Sequence, residues 1–147
     1  MEFISVRVLA AAALCLSAAA SHAQQVPGAH FIENWDSDGD GQVTALEVAE
    51  KRAALFYMFD QNEDGVLDEN EYALFDETRA ADMAANAGGR QGPMRIVDEA
   101  LALAFNDVDA DGRVSRDEFA EGSQRFFQAI DANGDGLLKT EDFRPRG

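Results

Sequence analysis

Four twelve-residue segments of one pattern constrain this chain more than anything else in it. They are Asp36–Glu47 (DSDGDGQVTALE), Asp60–Glu71 (DQNEDGVLDENE), Asp107–Glu118 (DVDADGRVSRDE) and Asp131–Asp142 (DANGDGLLKTED). Each has Asp first, Asp or Asn third, Asp fifth, Gly sixth, an aliphatic residue eighth and an acid twelfth. A single match could arise by chance in an acidic chain, but four in register could hardly do so. Alternate residues turn hard oxygens toward one point, and the glycine allows a sharp turn that a Cβ would obstruct.

This pattern resembles the twelve-residue calcium loop of the EF-hand family. The resemblance implies an oxygen cage for Ca²⁺, which takes six to eight such ligands at about 2.3–2.6 Å. It places side-chain ligands at Asp36, Asp38, Asp40 and Glu47 in loop one, and at Asp60, Asn62, Asp64 and Glu71 in loop two. In loop three they are Asp107, Asp109, Asp111 and Glu118, and in loop four Asp131, Asn133, Asp135 and Asp142. The seventh residues Gln42, Val66, Arg113 and Leu137 would give backbone carbonyls, which explains why they need not resemble one another. Val43, Leu67, Val114 and Leu138 suit the short strands by which such loops pair back to back.

Apolar residues at helical spacing flank the loops. Ile32 and Trp35, Phe56 and Phe59, Leu103 and Phe105, and Phe127 and Ile130 precede them; Val48, Tyr72, Phe119 and Phe143 follow. We read these as core. Asp36 and Asp60 stand 24 residues apart, as do Asp107 and Asp131, which leaves room for one shared helix in each half, near 45–59 and 116–130. Such a helix is roughly 22 Å long, so the loops at its two ends cannot pair with each other. Asp60 and Asp107 are 47 apart, with a helix expected near 69–86, a breaker at 87–93 and a second helix near 94–106. The expected fold is all-α, a compact bundle with two shared helices and loops paired 2–3 and 1–4. Its halves run from about 28 to 87 and from about 94 to 147.

Residues 1–23 read as an export signal. A short n-region ends at Arg7, Val8–Ala20 is apolar, and Ser21-His22-Ala23 is a small-x-small cleavage site. The expected location is periplasmic or secreted, with no membrane insertion once the signal is removed. The 124 residues left would hold no cysteine, since Cys15 lies in the signal, so metal is the obvious staple. Twelve Lys and Arg face 28 Asp and Glu, a formal charge of −16. Such a chain repels phosphate backbones, which argues against a nucleic-acid partner. His30 would be the one histidine, in a segment expected to fray, exposed or capping. With no nucleophile–base pair and no phosphate loop, an enzyme is not expected.

The 24-residue spacing and the signal also resemble the periplasmic lanmodulin family of lanthanide-binding EF-hand proteins. That family carries Pro second in the loop, where this chain has Ser37, Gln61, Val108 and Ala132. Calcium is the expected ion, with Mg²⁺ or a lanthanide as substitutes. Loop four should be weakest, because Lys139 stands ninth, Asp142 is a methylene shorter than Glu, and the exit helix expected after the loop meets Pro145. Fifteen ligand-position carboxylates, counting Asp68 at the ninth position of loop two, should repel one another and loosen the ion-free chain. The functional expectation is a calcium buffer or calcium-stabilised module binding three to four ions. The alternatives are a sensor that grips a protein partner and a lanmodulin-like lanthanide-binding protein.

Overall fold

The computed structural model describes residues 26–86 and 94–144. The segment 1–23 read as a signal and the breaker 87–93 lie outside the described residues. Six α-helices are present among them: α1 Ala29–Trp35, α2 Ala45–Phe59, α3 Glu69–Asn86, α4 Arg95–Leu101, α5 Leu103–Asn106 and α6 Arg116–Ile130. Two-residue strands β1 (Val66–Leu67) and β2 (Val114–Ser115) and a 3₁₀ turn, Thr140–Phe143, complete the order. No helix among these residues is long and apolar enough to cross a membrane.

Both shared helices start and stop for identifiable reasons. Thr44 caps α2 and Ser115 caps α6, each hydroxyl accepting the N–H of the Glu three residues on, while that Glu reaches back to the cap N–H. Such a capping box contributes about 1 kcal/mol. At the far ends Asp60 and Asp131 leave helical geometry, their N–H groups donating to Phe56 and Phe127 carbonyls at 2.9 Å. The first residue of a loop is thus the C-cap of the helix before it.

The loops meet in two short ladders. β1 and β2 are antiparallel, Val66 opposite Ser115 and Leu67 opposite Val114. Val43 and Leu138 exchange two backbone hydrogen bonds of 2.9 Å. Val43, Leu67, Val114 and Leu138 are all fully buried. From each ladder the core runs inward as one cluster along α2 and α6. Trp35 stacks between Phe31 and Phe126, both at 4.9 Å, and Phe31 also meets Phe143 at 5.2 Å. Pairs of this kind add about 0.5–1.5 kcal/mol each beyond burial. They join the first helix to the last turn, and a Cβ on Gly28 would overlap the Phe143 ring.

Three expectations need correction. The helix read over 94–106 breaks at Ala102, which is extended (φ −67°, ψ 155°). The Leu101 carbonyl, free of helical duty, accepts the Tyr72 hydroxyl at 2.7 Å and an Arg79 N–H at 2.9 Å. Asn106 Nδ2 also donates to the Ala102 carbonyl at 3.1 Å. The break turns Asn106 fully inward and leaves Leu103 and Phe105 only partly buried. The second correction concerns His30, which does not fray: it lies in α1, with Nε2 3.0 Å from Asp82 Oδ2. The third is the exit helix of loop four: Thr140–Phe143, which overlaps the end of the loop, forms one 3₁₀ turn instead. Lys139 has no side-chain acceptor with which to cap it.

Candidate metal centre

Each loop is wound on its own first carboxylate. The sixth-position glycine donates its N–H to that Asp: Gly41 to Asp36 at 2.7 Å, and Gly65, Gly112 and Gly136 to Asp60, Asp107 and Asp131 at 3.0 Å. These glycines have φ between 81° and 84°, a left-handed geometry that L side chains rarely adopt. The fourth position is left-handed too. Loops one and four have Gly39 and Gly134 there, while Glu63 (57°) and Ala110 (59°) take the same turn with a side chain. In the sequence only the glycines of loops one and four mark that second turn.

The twelfth acid closes each loop by bridging its second and ninth residues. Glu47 Oε1 accepts from Ser37 N at 2.9 Å and Oε2 from Thr44 N at 2.8 Å. Glu71 joins Gln61 N (2.8 Å) to Asp68 N (3.1 Å), and Glu118 joins Val108 N (3.2 Å) to Ser115 N (2.8 Å). Asp142 spans Ala132 N (3.0 Å) and Lys139 N (2.8 Å) despite its shorter side chain. Asp68, the acid at the ninth position of loop two, accepts the Asn70 and Glu71 N–H groups and so caps α3.

Within these frames the acids converge. One oxygen each from Asp36, Asp38 and Asp40 lies within 4.8 Å of the others, and Asp107, Asp109 and Glu118 form a second such group. Loops two and four have an amide at the third position instead, Asn62 donating to Asp64 at 3.2 Å and Asn133 to Asp135 at 3.4 Å. The seventh residues Gln42, Val66, Arg113 and Leu137 donate their own N–H groups to the fifth Asp of their loops at 2.8–2.9 Å.

The electrostatics follow this geometry. The N–H of Thr44, then its hydroxyl and the Ser37 donors, overcome desolvation and hold the Glu47 carboxyl down to about 2. Ser115 lowers Glu118 in the same way, and Gly41, Gly39 and Asp40 N–H groups lower Asp36. Asp38 goes up: the Asp40 N–H favours its charge, but desolvation and the Asp40 and Glu47 carboxylates outweigh that bond. Asp109 is raised for the same reasons, by desolvation with Asp111, Glu118 and Asp107. Crowded carboxylates in a preformed turn lack positive charge, and a hard divalent cation is what such an oxygen set fits.

Loop four already has a cation of its own. Lys139 Nζ lies 2.8 Å from Asp135 Oδ2 and 4.0 Å from Glu141. The pair lowers Asp135 and raises Lys139, each chiefly through their mutual hydrogen bond.

One buried group went unnoticed in the sequence. Arg52 of α2 is fully buried against α6 with no carboxylate partner among the described residues. Its guanidinium donates to Ser123 Oγ (3.2 Å), Asn106 Oδ1 (2.6 Å) and the Phe119 carbonyl (2.8 Å). It lies over the Phe119 ring at 4.1 Å and the Phe126 ring at 5.1 Å. Burial pushes it down to about 10, with Tyr72 opposing and Arg125 assisting. Asn106 Nδ2 continues to the Tyr72 hydroxyl at 3.1 Å. Asn106 directly precedes loop three and Tyr72 directly follows loop two. Gly122 was the one visible signal: a Cβ there would come within 2.8 Å of both Arg52 and Asn106.

Comparison with known proteins agrees with this geometry. A family model described as EF hand matches residues 52–75, 103–122 and 124–144, which takes in loops two, three and four. The chain is 27% identical to a probable calcium-binding protein, CML28, of Oryza sativa subsp. japonica, over 75% of this chain and 86% of the relative. It is 25% identical to a second from the same plant, probable calcium-binding protein CML16, over 75% of this chain and 71% of the relative.

Proposed function

Because this chain belongs to the EF-hand calcium-binding superfamily, we propose that it is an exported calcium-binding protein whose fold the ion completes. The observation that carries this reading is the convergence of carboxylate oxygens inside turns already closed by backbone hydrogen bonds. Asp36, Asp38, Asp40, the Gln42 carbonyl and Glu47 would hold the ion of loop one, with the corresponding residues in loops two and three. Bound Ca²⁺ would supply the positive charge that these carboxylates lack. Mg²⁺ or a lanthanide ion, equally hard, would compete for the same oxygens. The role is binding, as buffer or as calcium-stabilised module, and no catalytic role is proposed.

Three ions are the expected complement, with loop four occupied by its own lysine. Calorimetric titration with Ca²⁺ should resolve three sites in the unaltered chain. Lys139→Thr, which places the loop-one residue at the ninth position, should add a fourth. Three sites in both proteins would remove Lys139 as the reason. Glu118→Gln should weaken one site by roughly tenfold or more, about 1.4 kcal/mol, and leave the others bound.

Export rests on the apolar run Val8–Ala20 and the small-x-small site at 21–23. Intact mass of the protein recovered outside the cytoplasm should correspond to a chain beginning at Gln24. Recovery of the 147-residue chain from the cytoplasm would contradict export. Outside the cytoplasm, affinities in the range of about 10⁻⁴–10⁻³ M would serve.

A further inference from the structure

A cavity of about 270 Å³ opens on the side of the molecule where α1, α2, α3 and α4 meet. The α-helices and not the ion loops wall it, so none of the proposed calcium ligands takes part in it. Its lining is apolar for the most part, with the buried side chains of Trp35 and Phe75 among the wall residues. Met58, Met83 and Met94, all the methionines among the described residues, line it together. Flexible thioether side chains adapt to an inserted aliphatic group better than branched ones do.

The charges at its edge are mostly spent. Asp82 is engaged by His30 Nε2 and by Asn86 Nδ2, both at 3.0 Å. Arg79 is held by Asp98 at 2.8 Å, by Asp76 at 2.8 Å and by the Leu101 carbonyl. Lys51 differs. It lines the cavity half-buried and has no carboxylate or carbonyl partner among the described residues, in a chain where acids outnumber bases by more than two to one. An ammonium group that avoids so many carboxylates and borders an apolar hollow suits an apolar ligand that brings its own negative charge.

We propose that this cavity binds a medium-chain aliphatic carboxylate, its tail among the three methionines and its head group on Lys51. An apolar cavity of about 150 Å³ holds a benzene ring, so scaling by volume gives room for about ten non-hydrogen atoms. That is the size of a decanoate chain with its carboxylate at the mouth. The free acid is the ligand meant, because a diacyl lipid carries two longer chains.

Trp35 is the single tryptophan and lines the cavity, so its emission reports occupancy directly. Decanoate should be titrated into the full protein at millimolar Ca²⁺, with calorimetry in parallel. The expected result is a saturable change in Trp35 emission, with decanol binding at least tenfold more weakly. Lys51→Met should remove that difference by weakening decanoate and sparing decanol. Leu55→Phe, at a half-buried wall position, should weaken both at least tenfold with an unchanged circular dichroism spectrum. No saturable signal up to millimolar decanoate would overturn the proposal. Equal affinity for decanol and decanoate, indifference to both substitutions, or binding to phosphatidylglycerol vesicles with decanoate ignored would overturn it equally.

Discussion

Chelating the calcium-loaded protein will remove most of its helical circular dichroism and lower its melting temperature by more than about 20 °C. The reason is quantitative. A site whose ligand is at 100 times its dissociation constant, as about 10 mM Ca²⁺ is for a site of about 10⁻⁴ M, stabilises the folded state by about 2.7 kcal/mol, so three such sites contribute about 8 kcal/mol. That is comparable with the roughly 5–15 kcal/mol that keeps an ordinary domain folded. Chelation also restores the full formal charge of −16 and leaves the carboxylates within loop one, and those within loop three, crowded inside 4.8 Å of one another. With no cysteine between residues 24 and 147, no disulfide is available to resist. The effect should be graded, with Lys139 keeping loop four closed longest. A chelated protein with unchanged helix content and melting temperature would mean that the core alone suffices.

The second large effect belongs to Arg52. Arg52→Ala should destabilise the calcium-loaded protein by about 3–5 kcal/mol in urea denaturation, because it leaves a cavity and strips partners from Asn106, Ser123 and the Phe119 carbonyl. Arg52→Met should cost less than half as much. Methionine fills much of the volume and removes the desolvation of an uncompensated guanidinium, whose Nη1 has no hydrogen-bond partner among the described residues. Gly122→Ala should cost about 1–3 kcal/mol, since its methyl group presses on Arg52 and Asn106 together. Equal losses for Arg52→Ala and Arg52→Met would mean that shape is irrelevant and charge decides.

The contrast between these two effects shows what could be read from residues alone. Repeat spacing placed α2, α3 and α6, because a twelve-residue loop of fixed chemistry leaves a helix nowhere else to begin or end. Thr44 and Ser115 mark starts at the ninth position, while Asp60 and Asp131 mark stops at the first. The same rules misplaced the segment 94–106. Local propensity favours helix at Ala102, whereas the break there is held by tertiary hydrogen bonds from Tyr72 and Arg79 to the Leu101 carbonyl and by the Asn106 amide four residues on. Apart from Gly122 inside α6, nothing in the order of residues announces that Arg52 turns inward, because on a helix in an acidic chain an arginine ordinarily faces water.

The candidate site divides in the same way. Positions one, three, five and twelve carry their chemistry in their side chains and were legible. The capping roles of Thr44, Asp68 and Ser115 depend on where the following helix starts. The contact between Lys139 and Asp135 depends on a rotamer, and the spacing of the two residues only made it possible. Glu63 and Ala110 needed backbone angles to be noticed at all.

Equilibrium dialysis of the processed protein against millimolar calcium tests the central claim most directly. Three ions retained per chain, displaced together by chelator, are the result expected from these loops. Material that retains none at that concentration would contradict the assignment of all four segments.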